Sequence, residues 1–396
     1  MNKHKPHILC LGEWGFPLGF GAIQRMQLIA RGLLHQGCKV TVICFKGSHS
    51  AAHNFPPVGL YNGIHYRYTS GTIHKPSSFF RRNWLKLVGK VNELNYIWQL
   101  KKRGELGGCL VSTMHIDLLI IYWVWFKIIR VPLILNYDEM VSAIASRSGW
   151  ERINDRLFDR LAVPLSDGVC PISEYLIEHT RRYSKKKPLL KLPILCDFEK
   201  FKVKESVNDG VIFLYAGAAS YLPLVRFILQ SFDLLDPPQN VYLDLVLGGE
   251  ENDLNRAKEV ISNSRNSKMV RLYANVAHEL IPDYYANASA LLIPLRPTIQ
   301  DAARFPHKIG EYLASGRVVI TTNYGEIKYY DFIDQQTALV ASTFDQKDFS
   351  HKMKYIIDHK KHAMEIGLRG REMGLKNFNY INIGGQVKDF ILRLNK

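Results

Sequence analysis

Cysteine chemistry is the first thing this chain does without. Its six cysteines (Cys10, Cys38, Cys44, Cys109, Cys170 and Cys196) stand singly, mostly inside apolar runs, with no Cys-x-x-Cys pair. Neither a disulfide scaffold nor a zinc module is encoded, and six reduced core thiols are expected. Long apolar runs are missing too. The opening MNKHKPHILCLGEWGF is basic, but its apolar stretch is cut at Glu13 and is too short for a signal peptide. Leu118 to Leu135 is the most apolar segment, yet Lys127, Arg130 and Pro132 interrupt it. It divides better into a helix followed by a strand, so no spanning helix is expected. P-loop, Gly-x-Ser-x-Gly and His-Glu-x-x-His patterns are absent, and His278-Glu279 lacks its second histidine. A dinucleotide fingerprint fails as well: after Gly19-Phe20-Gly21 the third glycine position is Gln24, and Lys46 rather than an acid follows the next strand.

Acid is scarce in one half only. Residues 1–195 hold 27 Lys+Arg against 12 Asp+Glu, whereas 196–396 hold 25 against 24. A basic surface implies an anionic partner, and an anionic membrane attracts each nearby Lys or Arg by about 1 kcal/mol. Helix-turn-helix, zinc and RNA-binding signatures do not accompany the charge, which argues against nucleic acid.

What is present is an alternation of short apolar runs with helical periodicity, the pattern of an α/β protein with parallel sheets. At 396 residues the chain suits two domains. His7 to Leu11 is a strand, and a loop with Gly12, Gly15, Gly19 and Gly21 leads into a helix closed by Gly37. Lys39 to Phe45 is the next strand. Strands Gly108 to Thr113 and Pro132 to Asn136 end near His115 and at Asp138-Glu139. Polar residues beyond the carboxyl ends of parallel strands are where open sheets bind ligands, so these three are site candidates; their other reading is as turn formers or caps. Helix Trp150 to Val163, strand Gly168 to Ile172 and a Ser173-capped helix through Tyr183 complete this half. The charged interval from Asp197 to Asp209 reads as a linker. Strands at Val211 to Tyr215, Tyr242 to Leu247, Val270 to Tyr273, Ala290 to Pro294 and Val318 to Thr322 form a second sheet. The expected domains are 1–195 and 196–378, with a terminal helix in 379–396.

Phe79 to Arg103 carries a stripe of Phe80, Trp84, Leu87, Val91, Leu94 and Trp98 at spacings of four and three. Seven basic residues accompany it against the single acid Glu93, with Arg82, Lys86 and Lys90 on a different sector. Bulky aromatics beside Lys and Arg suit a helix lying in a membrane interface. Arg82, Trp84, Lys86, Lys90 and Trp98 are therefore the expected membrane and acceptor face. The alternative is a core helix with a solvated side.

Phe305 to Thr322, FPHKIGEYLASGRVVITT, is the most informative stretch. Pro306 suits a first helical position, Phe305, Ile309, Tyr312 and Leu313 repeat at helical spacing, and Gly316 supplies the left-handed stop before a buried strand. Lys308 and Glu311 share one face of that helix. With Asn323-Tyr324-Gly325-Glu326 after it, the run resembles the nucleotide-sugar motif of retaining glycosyltransferases with two facing Rossmann-like domains, the GT-B type of family 4.

The resemblance implies that Glu311 hydrogen-bonds the ribose of a UDP- or GDP-type sugar and that Gly217, Gly19 and Gly21 approach the donor; Arg304 and Lys308, beside the helix N-terminus, are the nearest groups to neutralise its diphosphate in place of the basic pair the family carries after the first strand of the second domain. It assigns the sugar and acceptor side to His115 and Asp138, and returns the terminal helix to the first domain. Two departures stand out. The first strand of the second domain is followed by Ala216-Gly217-Ala218-Ala219, keeping the glycine of the family's Gly-Arg…Lys-Gly segment but neither base, and Ala303 replaces a paired glutamate. Asp-x-Asp, the metal site of the other major glycosyltransferase fold, is absent.

The function expected is metal-independent, retaining transfer of a sugar from a nucleotide diphosphate to a lipid-linked or cell-envelope saccharide such as lipopolysaccharide, with no cofactor beyond the donor. The place expected is the cytoplasmic face of the membrane, peripherally bound. A non-catalytic scaffold of a polysaccharide assembly complex and a nucleotide-sugar epimerase are the competing readings.

Overall fold

The computed structural model describes residues 5–13, 15–19, 21–144, 147, 149–203 and 210–395. Two compact units emerge: 1–195 with 303–305 and 380–396, and 196–302 with 306–379.

In the first unit, β1 (His7–Gly12), α1 (Gly21–His35) and β2 (Lys39–Cys44) open the sheet, and β3 (Val58–Tyr61) pairs antiparallel with β4 (Ile64–Tyr68). Then come α2 (Phe79–Lys102), β5 (Leu106–Ser112), α3 (Ile116–Ile129), β6 (Leu133–Tyr137), α4 (Trp150–Leu165), β7 (Gly168–Pro171) and α5 (Glu174–Tyr183). The sheet order is β3-β4-β2-β1-β5-β6-β7. Strand order reverses between β1 and β5, and ligands of open α/β sheets sit at the carboxyl ends flanking such a point. The β3–β4 pair was not foreseen, because its short strands alternate exposed and buried residues beside turn formers.

The second unit contains β8 (Val211–Ala218), α6 (Leu222–Asp233), β9 (Val241–Gly248), α7 (Glu251–Ser262), β10 (Val270–Ala274), α8 (Ile281–Asn287) and β11 (Ala290–Ile293). It continues through α9 (Ile299–Ala303), α10 (Lys308–Ala314), β12 (Val318–Thr322), β13 (Leu339–Ala341), α11 (Gln346–Asp358) and α12 (Lys360–Phe378). All six strands are parallel, ordered β10-β9-β8-β11-β12-β13, so the reversal lies between β8 and β11. Of the expected linker, 204–209 lie outside the described residues, and the part before them forms a short helical turn at Phe198–Lys200.

The last helix, α13 (Tyr380–Leu394), groups with the first unit and crosses α1. The crossing is backbone on backbone. A Cβ on Gly384 would fall 2.4 Å from the Gly32 carbonyl carbon, and one on Gly32 would fall 2.4 Å from the Tyr380 oxygen. Arg31 adds a hydrogen bond to the Tyr380 hydroxyl at 3.1 Å and lies over its ring.

All six cysteines are buried, and burial pushes the Cys10, Cys44 and Cys170 thiols up to about 12. Among the described residues no helix is long and apolar enough to cross a membrane.

Helix α2 turns its aromatic stripe outward. Phe80 is 84% and Trp84 64% exposed, with Leu87, Val91 and Trp98 also exposed, while Gly89, Lys90, Glu93, Ile97 and Leu100 face the core. A core-facing stripe is thereby excluded. Lys90 is the exception to the expected basic face, being buried rather than at the surface. Its ammonium pairs with Glu93, donates to the Tyr122 hydroxyl at 2.7 Å and lies 3.9 Å from the Phe45 ring centre. The helical-wheel offset put Lys90 beside Arg82 and Lys86, but Glu93 three residues on and Tyr122 on α3 make a buried slot for its charge.

Gly384→Ala is expected to destabilise the protein by about 1–3 kcal/mol, because neither backbone can yield a Cβ's space. Equilibrium urea unfolding measures this, and an unchanged midpoint would contradict the close crossing.

Candidate functional site

In the second unit, β12 enters the sheet from α10, whose buried residues Ile309, Tyr312 and Leu313 are the periodic set expected from sequence. The helix starts at Lys308, two residues later than expected, because Pro306 and His307 form a turn first; Gly316 ends it at φ +74°. The Tyr312 hydroxyl accepts the Ala216 N–H at 2.9 Å, which ties α10 to the end of β8 beside Gly217. Gly217 is confined there: a Cβ would fall 2.4 Å from the Tyr215 hydroxyl. The strand-order reversal and the 305–322 stretch therefore meet at one place.

Glu311 is half-buried on α10, and the Tyr285 hydroxyl donates to its Oε2 at 3.1 Å. Tyr285 is itself fixed. Its ring packs edge-on against Tyr312 at 5.0 Å and stacks with Phe201 at 6.3 Å, and the next residue's carbonyl, Ala286, accepts from the buried Arg317 guanidinium at 2.6 Å. Burial and the neighbouring Glu311 carboxylate push the Tyr285 hydroxyl well above its usual range, so it stays a donor.

Positive charge reaches this place from two sides. Lys200, in the turn Phe198–Lys200, lies 3.3 Å from His278 Nε2. Desolvation first, then Lys200, with a smaller contribution from Lys308, holds His278 below the ordinary histidine value, while Glu311 acts in the opposite direction. Lys200, Lys308, His278 and Glu311 thus share one electrostatic neighbourhood: two cations, a carboxylate and an imidazole. Among the described residues no ion pair occupies Glu311 or Lys308. Lys200, His278 and Tyr285 were not singled out from sequence. They lie between 26 and 111 positions from Glu311 with no periodic relation to it, and only the fold brings them together. Arg304 belongs to the segment 303–305 that groups with the first unit.

The first unit has a second polar assembly at its own strand ends. Glu13, just past β1, pairs with Lys46 past β2 and with His115 Nε2 past β5, the latter at 3.1 Å. Beside it, Asn136 donates to the Ser112 hydroxyl at 3.0 Å and to Asp138 at 3.4 Å. Burial raises the Asp138 carboxyl above its ordinary value, with Arg25 and Asn136 opposing the shift. Arg25 is buried and donates to the carbonyls of Pro193 and Leu192 at 2.6 and 2.7 Å. Gly19 and Gly21 flank the entry to α1, and a Cβ on Gly19 would strike Ile23. His115, Asp138 and the two glycines are therefore gathered at the carboxyl ends of one sheet, while Glu311, Lys308 and Gly217 are gathered in the other.

Residues 197–373 match the family model for glycosyl transferases group 1. This group 1 region takes in β8 to β13 and the whole Lys200–His278–Glu311 neighbourhood. Solved structures agree over the full length and share the GT-B architecture. Sucrose-phosphate synthase from Thermosynechococcus elongatus superposes with a TM-score of 0.74 at 16% identity, over 98% of this chain and 99% of that one. HepE from Anabaena, in complex with UDP and glucose, gives 0.70 at 14%, over 98% and 99%. The catalytic domain of starch synthase IV from Arabidopsis thaliana, bound to ADP and acarbose, gives 0.66 at 13%, over 99% of each chain. No curated protein matches the sequence.

Tyr285→Phe is expected to lower stability by about 1–2 kcal/mol, the loss of one hydrogen bond to a carboxylate. Thermal unfolding monitored by circular dichroism checks it, and a wild-type melting curve would contradict the placement of Tyr285 against Glu311.

Proposed function

We propose that this protein is a retaining, metal-independent glycosyltransferase using a UDP- or GDP-type hexose donor and a lipid-linked or cell-envelope saccharide acceptor. The observation that carries this reading is the half-buried Glu311 carboxylate, held by Tyr285, with Lys200 and Lys308 acting together with it on the same imidazole, His278. A carboxylate in that setting accepts the two hydroxyls of a ribose, and two nearby ammonium groups complement a diphosphate. The complexes of two similar structures support it, since HepE was solved with UDP and glucose and starch synthase IV with ADP.

In the proposed reaction the bond from the anomeric carbon to the diphosphate oxygen breaks. The acceptor hydroxyl oxygen bonds to that carbon on the same face, and its proton passes to the departing phosphate. Negative charge grows on the leaving group, and stabilising it is commonly the largest catalytic effect. Lys200 and Lys308 take that role in place of the Arg and Lys missing after β8. Arg304, at the entrance to the same motif, remains part of the proposed donor set, and His115 and Asp138 remain proposed for the sugar and acceptor side.

A peripheral position on the cytoplasmic face of the membrane is supported by a surface that water alone does not explain. Besides the α2 stripe, α3 exposes Ile120, Ile121, Val124 and Ile128, and α4 exposes Trp150, Ile153 and Leu157; Trp150 is 85% exposed. Neighbouring packed helices with bulky apolar side chains outward, interspersed with Lys and Arg, match an interfacial face.

Glu311→Ala is expected to reduce turnover by about two decades or more, since two charge-assisted hydrogen bonds total about 3 to 6 kcal/mol. Steady-state kinetics with radiolabelled donor measures it. Near-normal turnover removes the assignment, and donor binding without turnover on any acceptor extract favours the scaffold reading. Separately, Trp84→Glu with Trp98→Glu is expected to weaken flotation with anionic liposomes while the circular dichroism spectrum stays unchanged. Unaltered flotation counts against the membrane face.

A further inference from the structure

A cleft of about 450 Å³ opens in the first unit between the loop after β2, the loop after β4 and the first turns of α2. Four of its lining residues are cations: Lys46, Lys75, Arg82 and Lys86. Only Lys46 has a carboxylate partner, Glu13; among the described residues Lys75, Arg82 and Lys86 make no ion pair. Like charges are drawn together here with one carboxylate, Glu13, acting against them. Burial, then Lys46, Arg82 and Lys75, push the Lys86 ammonium below its ordinary value, and Glu13 opposes them. An excess of four cations over one carboxylate repels itself in the empty cleft and attracts an anion into it.

The cleft is built rather than incidental. Helix α2 rests directly on the end of β2 at Gly89, where a Cβ would fall 1.8 Å from the Phe45 carbonyl. The buried Lys90–Glu93–Tyr122 set lies one turn further along. This fixes Arg82 and Lys86 over Lys46. Thr72 adds a hydroxyl to the lining. On one side Glu13 joins the cleft to His115, because its carboxylate holds both Lys46 and that imidazole. On the other side the lining residue Phe79 continues into Phe80 and Trp84 on the outward face of α2. A charged seat therefore has a polar strand-end neighbour and an apolar, exposed neighbour. A soluble phosphate would use only the first of these; a phosphate ester carrying a long apolar chain uses both.

We propose that the Lys46–Lys75–Arg82–Lys86 cleft seats the phosphate or diphosphate group of an amphiphilic acceptor, with its apolar chain leaving along Phe79, Phe80 and Trp84. The inference rests on the transferase reading for the word acceptor and deepens it by naming the acceptor's class, a polyprenyl-type phosphate or diphosphate. Recognition is by charge and by the boundary between polar seat and apolar rim, so a bilayer of the same net charge without a protruding phosphate monoester or diphosphate satisfies it less well.

The test uses the full-length protein and three probes: inorganic pyrophosphate, phosphatidylcholine vesicles doped with a polyprenyl diphosphate, and phosphatidylcholine vesicles doped with phosphatidylglycerol to equal charge. Wild type is expected to bind the polyprenyl-diphosphate vesicles about tenfold more tightly than the phosphatidylglycerol vesicles, the equivalent of one or two added ammonium contacts. Arg82→Ala with Lys86→Ala is expected to abolish that preference. Lys75→Gln, an exposed loop position that cannot endanger the fold, is expected to reduce it. Equal binding to the two vesicle types, a preference that survives both variants, or pyrophosphate alone binding as tightly as the doped vesicles would each overturn the proposal. Thermal shift by nucleotide sugars, read on the same preparations, reports the second unit independently. Loss of that signal alone sinks the transferase reading, while the vesicle preference decides the cleft.

Discussion

A carboxylate set half inside a protein has to be hydrogen-bonded or face compensating charge, and the second unit is arranged around one held by a buried hydroxyl. Glu311 takes the Tyr285 hydroxyl from α8, and its charge acts on His278 against those of Lys200 and Lys308. Each of those contacts is carried by something that does not depend on a ligand: the Tyr285–Tyr312 edge contact, the Arg317 bond to Ala286, the Ala216 bond to Tyr312. The site is thus preorganised by the core of the unit. Preorganisation of this kind gives donors and charges their effect without reorganising at the moment of reaction.

The first unit shows the opposite economy of surface. Its sheet and its pairing with α13 are tightly closed, to the point that two glycine backbones touch, yet α2, α3 and α4 present Trp, Phe, Ile and Leu outward. Burial of those side chains elsewhere was available in principle, because α2 has a core side. That side takes Ile97 and Leu100 together with the Lys90–Glu93 pair, and none of the aromatics of the stripe. A helix that buries its ion pair and exposes its aromatics inverts the ordinary amphipathic arrangement, which is why an apolar partner surface accounts for it better than solvent does. The net positive charge of residues 1–195 is the reason the partner proposed for this face is anionic.

Much of this was legible in the sequence. The parallel strands announce themselves as continuous apolar runs, Gly37 and Gly316 mark helix ends at positive φ, and Phe305 to Thr322 displays helix, turn and strand in order. What was not legible has physical reasons. Lys90 and Arg82 look alike on a helical wheel, and only Tyr122 from another helix decides that one of them is buried. Lys200 and His278 carry no signal of their own, since their role comes from segments distant in sequence meeting at one carboxylate. The β3–β4 pair is too short and too mixed for a period of two to stand out. The Arg and Lys absent after β8 leave Arg304 and Lys308 as the substitutes visible in sequence, and Lys200 joins His278 beside Lys308 only once the chain is folded.

The most direct measurement is a crystal structure of the protein with a bound nucleotide sugar. The account predicts the ribose hydroxyls at about 3 Å from the Glu311 carboxylate, with the diphosphate oxygens against Lys308 and Lys200. A nucleotide bound elsewhere, or one whose ribose leaves Glu311 untouched, would contradict it.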